Sequence, residues 1–126
     1  MNGSKPAGDQ AADPIDMQVI EGLRELGGQD DPGLLVEVIG MFLADAPARI
    51  RDLELGLASG DIELLERAAH SLKSASANVG ASKLSSICRQ IEEIARAKGS
   101  ERLAELVPES GQAWDEAASV LRSIQG

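Results

Sequence analysis

Between Ile62 and Val79, apolar and small side chains recur every three or four residues, a spacing that confines the segment to a helix with one inward face. Taking roughly 100° per residue, Leu65, Ala69, Leu72, Ser76 and Val79 fall on one stripe. His70, the only histidine, stands well round from that stripe, on an outer strip with Glu66, Lys73, Ser74 and Ala77. The same spacing returns along most of the chain. Strands draw on β-branched and aromatic residues, and here Tyr is absent, with one Phe and one Trp. The pattern predicts an all-α fold.

Asp16 can cap a first helix carrying Val19, Ile20, Leu23 and Leu26 inward, with Ile15 as a hydrophobic staple and Gly27-Gly28 as its stop. Asp31-Pro32 opens a second helix. Its face runs through Leu35, Val38, Ile39, Phe42, Ala46, Ile50, Leu53 and Leu57 to Ser59, and Pro47 should kink it. Ser59-Gly60-Asp61 is a turn and cap for the third helix, from Ile62 to about Asn78, which Gly80 stops. The fourth carries Leu84, Ile87, Cys88, Ile91, Ile94 and Ala95 inward and ends at Lys98-Gly99. Ser100 caps a last stretch with Leu103, Leu106, Val107, Trp114, Ala117, Val120, Leu121 and Ile124 inward, which Pro108 and Gly111 should kink or split. Short connections make consecutive helices antiparallel neighbours, so the expected architecture is an antiparallel four-helix bundle with an additional N-terminal helix covering one end. Residues 1–13 read as an unstructured leader or linker and 14–126 as the bundle domain.

A chain of 126 residues is one small domain. Its formal charge of −9 argues against nucleic acid or an anionic membrane as partner, because both need a basic face. The longest apolar run, Leu34 to Ala44, is too short to span a bilayer. A single cysteine, Cys88, excludes an internal disulfide and a multi-cysteine metal site, and is compatible with a reducing cytoplasm. It should pack in the core, as should Trp114. No secretory signal precedes the first helix.

The segment Ala68-Ala69-His70-Ser71-Leu72-Lys73-Ser74-Ala75-Ser76-Ala77-Asn78-Val79-Gly80 resembles the histidine-containing phosphotransfer (HPt) family. The core motif of that family reads His-x-Leu-Lys-Gly followed by small residues and a closing Gly. His70, Leu72, Lys73 and Gly80 match, while Ser74 stands where the motif has glycine. The resemblance covers almost the whole folded chain, through Ile15-Asp16, Asp30-Asp31-Pro32, Phe42-Leu43-Ala44-Asp45 and Gly60-Asp61. It implies that His70 accepts a phosphoryl group from a receiver aspartate and passes it to a response regulator.

Imidazole offers a nucleophilic nitrogen near neutral pH. Lys73, one turn on, can place an ammonium beside the phosphoryl oxygens. Glu66 lies one turn before, so charges of opposite sign flank the imidazole. No phosphate-cradling Gly-rich loop, Walker lysine or Mg²⁺-binding acidic cluster is present, so kinase and ATP-binding machinery, cofactors and a resident metal are not expected. The partners, a sensor kinase's receiver domain and a response regulator, would supply the metal and most of the transition-state stabilisation.

Glu66, Ser74, Ala77 and Arg89 are assigned to partner contact in a monomeric, cytoplasmic protein. Ser74 reads either as a tolerated small residue or as a hydroxyl near the phosphoryl group. Arg89 reads either as a phosphate or partner contact or as a solvated side chain. An alternative function is a helical adaptor of the same fold that carries no phosphate. A metal- or haem-binding bundle would need several convergent ligands, and one histidine does not provide them.

Overall fold

The computed structural model describes residues 13–27 and 33–125. Among them the chain forms α1 (Met17–Gly27), α2 (Gly33–Ser59), α3 (Ile62–Asn78), α4 (Ser82–Arg96) and α5 (Leu103–Gln125), and no strand. α2 packs on α3, α3 on α4, α4 on α5 and α5 back on α2, which closes a four-helix bundle, while α1 lies against α2. Leu53, Leu65, Leu72, Leu84, Ile91, Leu106 and Leu121 are sealed in its core. Phe42 and Trp114 meet edge to face there, ring centroids 5.5 Å apart.

Core burial fixes the rotation of α3. Leu65, Ala68, Ala69, Leu72 and Ser76 are buried, and burying a leucine contributes roughly 1.5–3 kcal/mol. Turning the helix forward by one residue would put Glu66, His70 and Lys73 where Leu65, Ala69 and Leu72 lie. The small residues in the stripe permit close approach, and the Ser76 hydroxyl, fully enclosed, donates to the Leu72 carbonyl. On the facing helix a Cβ added to Gly56 would lie 2.8 Å from Leu65 Cγ, so only glycine lets α2 come this near.

Both ends of α3 are tied. Asp61 accepts from the Leu64 amide at 3.1 Å as the N-cap, after Gly60 turns the chain at φ +72. At the other end Gly80 adopts φ +78. Its carbonyl accepts from the Asp16 amide at 2.7 Å. The segment leading into α1 is thereby fastened to the turn that follows α3, and Ile15 is buried beside it. Asp16 in turn caps α1 through a 2.9 Å bond to the Gln18 amide.

Several expectations are corrected. Leu26 is 78% exposed rather than inward; it lies about 120° round from Ile20 on a short helix that buries only a narrow stripe. Ile94 packs half-buried against the core as expected, and Glu92 is a further residue of α4 that turns inward. α5 is one helix through Pro108 and Gly111, so it is not split there. Pro108 forfeits one bond to the carbonyl of Ala104, an exposed residue where water can serve. The buried Leu106, Val107 and Ser110 hold the turn around it. That helix starts at Leu103, after Arg102 at φ 68, and Ser100 contributes its backbone carbonyl to the Leu103 amide at 3.3 Å. The leader assigned to 1–13 falls, except for Asp13, outside the described residues, as do Gly28, Asp30, Asp31 and Pro32.

Candidate functional site

On α3 the residues about 100–160° round from Leu72 are Lys73, Glu66, Ala77 and His70, with Ser74 a little further out. This strip faces a matching strip on α4 made of Glu92, Ser85, Arg96 and Arg89, and the two helices bring opposite charges together along it. Ser85 pins the edge by donating to the Lys73 carbonyl at 2.9 Å.

Glu92 is the centre of the arrangement. It is 3% exposed, yet its carboxylate is met from both helices. Nδ1 of His70 lies 2.7 Å from Oε2, Nζ of Lys73 lies 2.6 Å from Oε1, and Nη2 of Arg96 lies 2.7 Å from Oε2. The hydrogen bond from Lys73, with lesser help from His70, holds the carboxyl below its ordinary range, although burial alone would raise it. An ionised carboxylate only accepts, so the proton of this contact sits on Nδ1 of the imidazole. Nε2 has no protein partner among the described residues, and the His70 side chain is 61% exposed. The site is therefore a nucleophilic nitrogen presented to solvent on a ring whose other nitrogen is anchored.

Arg96 extends the network by reaching Glu66 at 3.2 Å through Nε. These neighbouring carboxylates keep its guanidinium firmly charged, Glu66 first. Glu66 thus pairs with Arg96, while the carboxylate that holds the histidine comes from α4. Lys73 is where the sequence places it, but its ammonium bonds Glu92 rather than standing free. Ser74 and Ala77 are exposed on the outer strip, and Arg89 is exposed on α4. Glu92 and Arg96 were not singled out from the sequence. The available signal was an acid on the edge of an apolar stripe with arginines at i−3 and i+4. Cys88 is fully buried, and burial pushes its thiol up to about 12, which leaves it inert.

The model of the Hpt domain family matches residues 37–124. The chain belongs to the Hpt family. Its fold matches the crystal structure of histidine-containing phosphotransfer protein B from Pseudomonas aeruginosa PAO1, with a TM-score of 0.81 and 27% identity over 90% of this chain and 96% of that one. No curated protein matches. Histidine phosphotransfer in a two-component phosphorelay is accordingly the function of this Hpt domain, and Hpt domains interact with receiver domains of kinases and response regulators. No helix among the described residues is long and apolar enough to cross a membrane.

Proposed function

We propose that Nε2 of His70 is the atom that carries the phosphoryl group. One observation supports this: the sole histidine is held at Nδ1 by a buried carboxylate and turns its other nitrogen to solvent. In the forward step the Nε2 lone pair attacks the phosphorus of a receiver aspartyl phosphate. The N–P bond forms, the P–O bond to the aspartate breaks, and the carboxylate leaves with the electron pair. Nδ1 keeps its proton, and the positive charge left on the ring is met by Glu92. Passing the group to a response-regulator aspartate reverses these changes. An imidazole so protonated is a better leaving group than a neutral one, which favours onward transfer.

Lys73 has two donors left after bonding Glu92, and these can meet phosphoryl oxygens. Ser74 and Ala77 keep the approach to His70 low. The partners are the receiver domain of a sensor kinase and a response regulator, the protein acts as a monomer, and its compartment is the cytoplasm.

The test is incubation with a phosphorylated receiver domain, followed by mapping of the modified residue. Label should appear on His70, be lost in acid and survive base, as a phosphoramidate does. His70→Gln should keep the fold and take no label. Label on the His70→Gln protein would place the phosphoryl group on another residue, and a parent that takes no label would leave the adaptor reading in place.

A further inference from the structure

Beyond His70, towards the turn at Val79 to Ala81, an open groove of about 270 Å³ lies between α3 and α4. It is lined by Lys73 and Ala77 from α3 and by Ser82, Ser85, Ser86 and Arg89 from α4. In a chain with 21 acidic against 12 basic residues, no acidic side chain lines this groove. Arg89 is exposed and has no ion-pair partner among the described residues, unlike Lys73 and Arg96, which share Glu92. The Ser85 hydroxyl is spent on the Lys73 carbonyl, and that of Ser86 has no partner among the described residues.

We infer that this groove receives a carboxylate side chain of the docking receiver domain, with Arg89 as its anchor; the inference rests on the reading of His70 as the carrier. Ala77 lies about 10 Å along α3 from His70 at 1.5 Å per residue. A standard protein interface covers about 800 Å² per partner, a disc of roughly 16 Å radius, so a receiver seated over His70 also covers the groove.

Covering Arg89 strips water from a guanidinium that has no acceptor of its own, so the partner must bring one. The planar fork of arginine fits a carboxylate through two parallel bonds, and the Lys73 ammonium beside it adds a second positive charge. An acidic contact here also orients the encounter, because the rest of this chain repels an acidic surface. Ala77 and the serines leave room for the incoming side chain.

The experiment uses one phosphorylated receiver domain that labels the parent chain. Transfer is followed at increasing receiver concentration for Arg89→Glu, Arg89→Lys and Arg122→Glu. Arg122 is exposed on α5, diagonal to α3, and its reversal changes net charge equally without touching the groove. Arg89→Glu should raise KM about tenfold, the scale of one lost charged interface contact. The loss should fall on KM rather than on the rate at saturation, and it should shrink as salt rises. Arg89→Lys, which keeps the charge but not the fork, should lie between parent and reversal, and Arg122→Glu should follow the parent. An Arg89→Glu protein with the KM of the parent, or one no worse than Arg122→Glu, overturns the groove as a receiver site. Labelling of His70→Gln by the same receiver overturns instead the reading beneath it, so the two failures are separate.

Discussion

Nδ1 of His70 and Oε2 of Glu92 meet at 2.7 Å although the residues are 22 positions apart in sequence and on different helices. The contact joins an exposed imidazole to the most enclosed carboxylate of the site, and it decides which imidazole nitrogen is available. Glu92→Gln keeps an acceptor at nearly the same place but removes the charge. It should slow transfer about tenfold, the scale of exchanging a charged for a neutral hydrogen-bond acceptor. Single-turnover kinetics with a phosphorylated receiver measure this, and a rate equal to the parent would show that the charge at Nδ1 is immaterial.

Glu92→Ala should also cost stability, by about 1–2 kcal/mol, because Lys73 and Arg96 lose a shared partner. The cost is held down because both cations reach water, their side chains being 31% and 63% exposed. Urea denaturation of parent and variant gives the difference.

The same carboxyl sets an acid sensitivity. Its hydrogen bond from Lys73 lowers it from the ordinary 4.5. A carboxyl that is more acidic folded than unfolded adds stability that is complete above the ordinary value and is lost as pH falls through the folded value. The parent should therefore lose stability on acidification below pH 4.5 more steeply than Glu92→Gln does. Thermal melts taken from neutral pH down through that range test the sign; parallel curves would mean that Glu92 is not the group responsible.

Gly80→Ala should destabilise the bundle by about 1–3 kcal/mol. The backbone there is left-handed at φ +78, and an added Cβ would lie 2.7 Å from the Asp16 carbonyl oxygen and 3.0 Å from Val19 Cβ. The damage should concentrate in α1 and the α3–α4 turn. Hydrogen exchange should show earlier opening at the Asp16 amide than in the middle of α3.

Ser74→Trp should slow transfer about tenfold or more while changing stability by no more than about 0.5 kcal/mol, as is usual for an exposed position. Ser74 is exposed on the same strip as His70, so a large ring there obstructs docking without disturbing the core. If Ser74→Trp transferred as fast as the parent, partners would have to approach from elsewhere.

The parts of this molecule that depend on local spacing were legible in the sequence. Leu65, Ala69 and Leu72 define an inward stripe, Asp61 and Gly80 bound the helix that bears it, and the outward place of His70 follows from the rotation they impose. Glu92 was not legible in the same way. On its own helix it is an acid at the edge of an apolar face, and its burial makes sense only once Lys73 and His70 arrive from α3. The pairing of Glu66 with Arg96 rather than with the imidazole is the same kind of fact, set by which side chains the bundle brings together. Pro108 is the opposite case: it costs one backbone bond locally, which the buried Leu106, Val107 and Ser110 outweigh, so α5 is not split there.

With Nε2 of His70 as the proposed carrier, order follows as well. Two folded domains cannot both reach that one atom, so donor and acceptor would exclude each other and the cycle would be ping-pong, with the modified protein released between its two encounters. Each complex must then be weak enough to part before the next forms, and an excess of unphosphorylated receiver acts as a competitive brake on the whole relay.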